Sequence, residues 1–293
     1  SVTFQTGSGL RDLITSRFVN AAGQSPLDAS GSSVGNDTIT TGVGDDIVVG
    51  GLGNETTLAA GEGDNIVLGD EGFVQYQDQT DTNTTSVLSE VSSLFLDGSN
   101  EFVQGGRETI TAGAGHDTII GGLGDDGIEV VNGDNIVLGD EGSVTFQTGS
   151  GLRDLITSRF LDGSGDSVLD AAEASVGNDT ITTGAGNDVV IGGLGTETTL
   201  AADEGDNIVL GDEGFVQYQD QRLTRATSVL EEVSSLFLDH LAPRDADAET
   251  FVQGGSESIT VGAGHDIVIG SLGDDVIQAG NGDNIVLGDE GAI

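Results

Sequence analysis

Acidic residues recur along this chain at a spacing that a flexible polyanion would have no reason to keep. Asp37, Asp46 and Glu55 lie nine residues apart with Asn65 ten further on, and Glu108, Asp117, Asp126 and Asn135 keep nine throughout. The same rhythm returns in Asp179, Asp188, Glu197 and Asn207, and again in Glu257, Asp266, Asp275 and Asn284. Asp64, Asp134, Asp206 and Asp283 stand immediately before the four Asn. The surrounding text reads TGVGDDIVV, GGLGDDGIE and VGAGHDIVI, with Gly at the second and fourth positions and an acid at the sixth. Carboxylates repeated in this way suit coordination of a hard cation such as Ca²⁺, which takes about six to eight oxygens.

Other chemistry finds little support. The three His are His116 and His265, each in the variable fifth position of GAGHD, and His240 in the acidic stretch DHLAPRDAD. The first two are expected to be exposed turn residues. No GxSxG, HExxH or Cys nucleophile is present, and equivalent repeated acids lack the asymmetry that a general acid and base pair needs. The chain is therefore read as non-enzymatic, with no catalytic residue.

The elements that must position the acids follow from the residues beside them. Gly allows a tight turn with positive φ, and the triplets after the acids, such as Ile47-Val48-Val49 and Thr118-Ile119-Ile120, suit very short strands. Alternating turn and strand winds into a flattened solenoid whose coil takes two nonapeptides. Residues 18 apart then stack: Asp37 on Glu55, Asp46 on Asp64, Glu108 on Asp126 and Asp117 on Asn135. At the ~4.8 Å spacing of neighbouring strands such carboxylates repel, and Ca²⁺ between them reverses the sign.

Larger repeats frame the nonapeptides. SVTFQTGSGLRDLITSRF at 1–18 returns unchanged at 143–160, and GDNIVLGDEG closes at Gly72, Gly142, Gly214 and Gly291. Four units result: 1–72 (insert 1–34, repeats 35–72), 73–142 (insert 73–107, repeats 108–142), 143–214 (insert 143–176, repeats 177–214) and 215–293 (insert 215–256, repeats 257–293). Each insert opens on SVTFQ or FVQYQ, an alternating stretch that fits one more solenoid strand. A helical spacing follows in Leu10, Leu13, Ile14, Arg17 and Phe18, in Val87, Leu88, Val91, Leu94 and Phe95, and in Val229, Leu230, Val233, Leu236 and Phe237. The fold expected is all-β, a parallel β-roll or β-solenoid of nonapeptides with a short amphipathic helical insertion in each unit.

Composition agrees with a cation partner and argues against others. The 293 residues hold 50 Asp and Glu against 8 basic residues, a formal charge of −42, yet 35% are hydrophobic and sit in orderly short runs. Nucleic acid and anionic membranes need Lys and Arg, so neither is an expected partner. No apolar run reaches the ~20 residues needed to span a bilayer, and membrane insertion is not expected. Without Cys there are no disulfides or thiolate sites.

The repetitive backs resemble the RTX (haemolysin-type) calcium-binding repeats, and whole units resemble tandem repeat segments of giant bacterial surface proteins. That resemblance implies a parallel β-roll with Ca²⁺ in its turns, export, and folding outside the cell. Carried over by position, the ligand carboxylates are Asp37, Asp46, Asp117, Asp126, Asp179, Asp188, Asp266 and Asp275. Glu55, Glu108, Glu197 and Glu257 depart from Asp, and Asn65, Asn135, Asn207 and Asn284 bring a neutral oxygen beside Asp64, Asp134, Asp206 and Asp283. Asp70, Asp140, Asp212 and Asp289 occupy a normally Gly position, either as extra ligands or as solvated turn acids. The leading expectation is a calcium-stabilised extracellular or cell-surface segment, an adhesin spacer or a filament body, that self-associates or continues into a longer array. The alternatives are an RTX secretion and folding module of an exported enzyme or toxin, and a ligand-facing or ice-binding solenoid. The last draws on Thr38, Thr109 and Thr180, which mark one coil per unit.

Overall fold

A computed structural model describes residues 2–4, 10–16, 35–51, 53, 55–77, 86–93, 105–158, 177–195, 198–219, 227–235 and 255–293. Its 24 strands form three sheets of eight, two parallel and one antiparallel. The apolar triplets build the central sheet: Ile47–Val49, Ile66–Leu68, Thr118–Ile120, Ile136–Leu138, Val189–Ile191, Ile208–Leu210, Ile267–Ile269 and Ile285–Leu287. The Thr-rich segments build the outer sheet, in the order Thr38–Thr40, Glu55–Ala59, Arg107–Ala112, Gly127–Val130, Thr180–Thr183, Thr199–Ala202, Ser258–Val261 and Val276–Ala279.

The difference in sequence between these two sheets follows from their position. The central strands are covered on both faces, so they read as unbroken IVL or TII. Val67, Val137 and Val209 face the outer sheet and pack with Leu58, Ile128 and Leu200. Leu68, Leu138 and Leu210 point the other way, into a second apolar layer. The outer strands have one wet face, so Arg107–Ala112 alternates exposed and buried residues throughout. On that wet face Thr57 and Thr199 join the register row of Thr38, Thr109 and Thr180, beyond the one coil per unit expected; Gly127, Ser258 and Val276 interrupt it.

The parallel register runs straight across every insert. Ile47 pairs with Ile66, Ile66 with Thr118, Thr118 with Ile136, and Ile136 with Val189. The steps alternate between 19 or 18 residues within a unit and 52 or more between units, so the roll continues as though the inserted residues were absent.

The inserts themselves differ from expectation. SVTFQ and FVQYQ do not add solenoid strands, and the described parts of the helical stretches are not helices. Val2–Phe4 with Arg11–Thr15, Phe73–Tyr76 with Leu88–Ser92, Ser143–Phe146 with Arg153–Thr157, and Phe215–Tyr218 with Leu230–Ser234 are antiparallel hairpins. They join edge to edge as the third sheet, which covers the central one. The helical spacing has a local cause. A register shift lets Val91 oppose Val74 while Leu88 opposes Tyr76, so an extra residue lies between the two pairs. This bulge brings residues three apart onto one face, the interval that otherwise marks a helix. Arg17, Phe18, Leu94, Phe95, Leu236 and Phe237 lie outside the described residues.

Candidate metal centre

Turns connect the two parallel sheets along two edges of the roll, and the recurrent acids line both. Gly makes the turns possible: Gly133 has φ 144°, and a Cβ there would lie 1.7 Å from the Gly115 carbonyl of the coil below. Successive turns therefore touch backbone to backbone.

On the edge before the central strands, Asp46, Asn65, Asp117, Asn135, Asp188, Asn207, Asp266 and Asn284 stack in strict alternation. From Asn65 onward each Oδ1 accepts from the main-chain N–H of the coil before it. Asp46 N–H donates to Asn65 at 3.1 Å, Asn65 N–H to Asp117 at 2.8 Å, Asp117 N–H to Asn135 at 3.0 Å and Asn135 N–H to Asp188 at 2.8 Å. The same bonds link Asp188 through Asn207 and Asp266 to Asn284. The Asn amides also donate. Asn65 Nδ2 reaches the Gly61 and Gly63 carbonyls at 2.9 and 2.8 Å and Asp117 Oδ1 at 2.9 Å, and Asn135 Nδ2 reaches Gly133 and Asp188. A neutral donor thus separates carboxylates that would otherwise be neighbours. One oxygen of each Asp, Oδ2 of Asp46, Asp117, Asp188 and Asp266, keeps no donor.

One residue earlier lies an exposed row. Asp64 N–H donates to Asp45, His116 N–H to Asp64, Asp134 N–H to His116 Nδ1 at 2.9 Å, and Asn187 N–H to Asp134. It continues through Asp206, His265 and Asp283. His116 and His265 are exposed turn residues, and both imidazoles are rungs of this row. His240 lies outside the described residues.

The opposite edge, before the outer strands, carries Asp37, Thr56, Glu108, Asp126, Asp179, Thr198, Glu257 and Asp275 in register. Thr56 stands where spacing by nine puts Glu55, because the first coil takes 19 residues rather than 18; Glu55 pairs instead with Arg107. Asp37 therefore stacks on Thr56, and Asp46 on Asn65 rather than Asp64. The ten-residue step from Glu55 to Asn65 is the signal for this shift, and the same step occurs before Asn207. Glu197 lies outside the described residues.

This second edge has buried charge and few donors. Glu108 is 1% exposed, Asp126 2% and Asp179 1%, while Asp37 is exposed. Asp126 Oδ1 accepts from Glu108 N–H at 2.7 Å and Asp179 Oδ1 from Asp126 N–H at 2.8 Å. Both oxygens of Glu108 and of Glu257, and Oδ2 of Asp126, Asp179 and Asp275, have no donor. Burial accordingly pushes Glu108 up to about 7 and Glu257 up to about 10, the latter helped by Asp212. Burial, then neighbouring carboxylates, hold Asp126 and Asp179 well above the usual range. A buried carboxylate without a donor is costly, and a bound cation removes the cost.

Asp70, Asp140 and Asp212 are not solvated turn acids. All three are buried, and burial raises Asp140 and Asp212 to about 7 and Asp70 well above its ordinary value. Asp289 in the last turn is exposed. Glu71, Glu141 and Glu213, the next residues, are buried too, an aspect the repeat pattern did not signal; burial pushes Glu141 up to about 8.

The donor set fits a hard cation: carboxylate oxygens without donors, packed against glycine carbonyls. A Cβ on Gly121 would lie 2.6 Å from Asp126 Oδ2 and 2.2 Å from the Gly139 carbonyl. Among the described residues no three acidic or imidazole side chains converge on one point. A cation here would complete its shell with turn carbonyls.

A two-edged parallel roll with acids in glycine turns defines a class, the calcium-type β-roll. The RTX calcium-binding nonapeptide repeat matches this chain in four copies, at residues 33–56, 102–137, 164–196 and 260–292, so the chain carries that repeat along its length. No curated protein and no solved structure matches it.

Proposed function

We propose that this Ca²⁺-binding repeat module is a stiffened structural segment of an extracellular protein, a spacer in a surface adhesin or the body of a filament. The role is structural rather than catalytic, and the partner is a further repeat or another copy. The carrying observation is the row of buried, donorless carboxylate oxygens at Glu108, Asp126, Asp179, Glu257 and Asp275. In the absence of a cation these acids oppose the coil that buries them; with Ca²⁺ the same acids fasten one coil to the next. Folding is thus tied to calcium at the ~10⁻⁴–10⁻³ M affinities of extracellular modules.

Far-UV circular dichroism and electron microscopy of one sample, with excess calcium and after chelation, test this reading. β-Structure that appears with calcium and is lost on chelation is the expected result. Full β-structure in chelator at low salt and pH 8 rejects it. Filaments seen with calcium alone select the filament body, and single rods the spacer.

A further inference from the structure

Three of the four hairpins leave the roll at the same four residues, Gly-Asp-Glu-Gly, at 69–72, 139–142 and 211–214, and the motif stands once more at 288–291. The Asp of this root is not at the acid position of the nonapeptide. In three roots its carboxylate is buried and bound to the main chain of the following unit. Leu123 N–H donates to Asp70 Oδ2 at 2.9 Å, Leu194 N–H to Asp140 Oδ2 at 2.6 Å and Leu272 N–H to Asp212 Oδ2 at 3.0 Å.

Beside each root lies the first turn acid of the next unit. A Cβ on Gly69 would lie 1.9 Å from the Gly121 carbonyl and 3.1 Å from Glu108 Cγ. One on Gly139 would lie 2.3 Å from Asp179 Oδ2 and 2.2 Å from the Gly192 carbonyl, and one on Gly211 3.1 Å from Glu257 Oε2 and 2.1 Å from the Gly270 carbonyl. The root Asp is thus joined by a buried oxygen that has no donor, on Glu108, Asp179 or Glu257, and by a turn carbonyl. Each root Asp accepts from a main-chain N–H, with a second at Asp212 from Gly255 N–H at 3.3 Å, and two buried carboxylates with so few donors call for a cation.

The third root holds a further sign. Ser271 stands where the earlier units have Gly122 and Gly193, at φ 78°, which L side chains rarely adopt. It is 1% exposed and its hydroxyl has no partner. A strained residue that brings one more oxygen to a buried acidic site points to a ligand there.

We propose that at three hairpin roots the root Asp is a further ligand, outside the nonapeptide acid position, that shares a divalent cation with the first turn acid of the following unit: Asp70 with Glu108, Asp140 with Asp179, and Asp212 with Glu257 hold one ion each and lock consecutive units together. It rests on the calcium-binding reading of the repeats. Asp289, at the same place in the motif but exposed, serves as the internal control.

Equilibrium dialysis against calcium counts the ions bound to the whole chain. The triple variant Asp70→Asn, Asp140→Asn, Asp212→Asn is expected to bind three fewer ions than the unaltered chain, and Asp289→Asn the same number. Should the triple variant not fold, Asp140→Asn alone is expected to lose one. An unchanged count in a folded variant overturns the root sites and means that these acids are held protonated. An unaltered chain that binds no calcium overturns the function proposed above instead, so the two failures are distinguishable.

Discussion

At the scale of single residues, the buried acids set a pH dependence whose sign can be worked out. Glu108, Asp140 and Asp212 are raised to about 7, Glu141 to about 8 and Glu257 to about 10, in each case chiefly by burial. Unfolded carboxyls titrate near pH ~4. Between those limits the folded chain holds more protons than the unfolded one, so its stability falls as pH rises. Protein freed of divalent cations should therefore be most stable near pH 4 and lose stability progressively up to about pH 8, with Glu257 extending the loss further. In saturating calcium the slope should reverse, because protons then compete with the ion. Urea denaturation across that range, with and without calcium, checks both slopes, and a flat profile without calcium contradicts the burial argument. The identity of the acid rows was legible in the sequence because the acids recur with the coil. Their register was legible only in part. The ten-residue step ahead of Asn65 moves Thr56 into the row that counting by nine gives to Glu55. The burial of Asp70 was not legible, because it depends on where the chain re-enters the roll after some thirty residues of insert.

At the scale of elements, the central strands were legible and the hairpins were not, for one physical reason. A strand buried on both faces must be apolar at every position, and IVL repeated after each acid leaves little else to consider. A hairpin with a bulge has no fixed period: Leu88 and Val91 share a face only because an extra residue, Ser89, lies between them while their partners Tyr76 and Val74 are two apart. The helical reading of Leu10, Leu13 and Ile14 failed in the same way, since Phe4 opposes Arg11 while Thr3 opposes Leu13. Strand geometry makes a prediction that helical geometry does not. Ile156 is fully buried against the central sheet, whereas its neighbour Leu155 is half-buried on the opposite face. Ile156→Ala should cost about 2–5 kcal/mol in saturating calcium, with Leu155→Ala costing well under half of that. Urea unfolding followed by circular dichroism measures the pair, and equal costs would contradict the alternation.

At the scale of the whole molecule, the roll behaves as a stack in which each coil touches only the coils beside it. Stability should then vary along the stack rather than being uniform. The middle is held on all sides: Ile119, Val137 and Val190 are buried between the sheets, and Asp117, Asn135 and Asp188 are bonded to coils both before and after. The coil of Val276–Ala279 and Ile285–Leu287 is the more open one. Ile285 is 48% exposed and Val286 45%, and Val276 in the last outer strand is 57% exposed. Asn284 accepts from Asp266 N–H and is half-buried, and Asp289 is exposed. Hydrogen exchange in saturating calcium should therefore protect Thr118–Ile120, Ile136–Leu138 and Val189–Ile191 longest, with Val276–Ala279 and Ile285–Leu287 exchanging first. Mass spectrometry of peptide fragments resolves that order. Uniform protection from the first coil to the last would mean that the roll opens as a single unit. The coupling between coils would then be far stronger than contacts between neighbours supply, and the root carboxylates that tie one unit to the next are the groups placed to supply it.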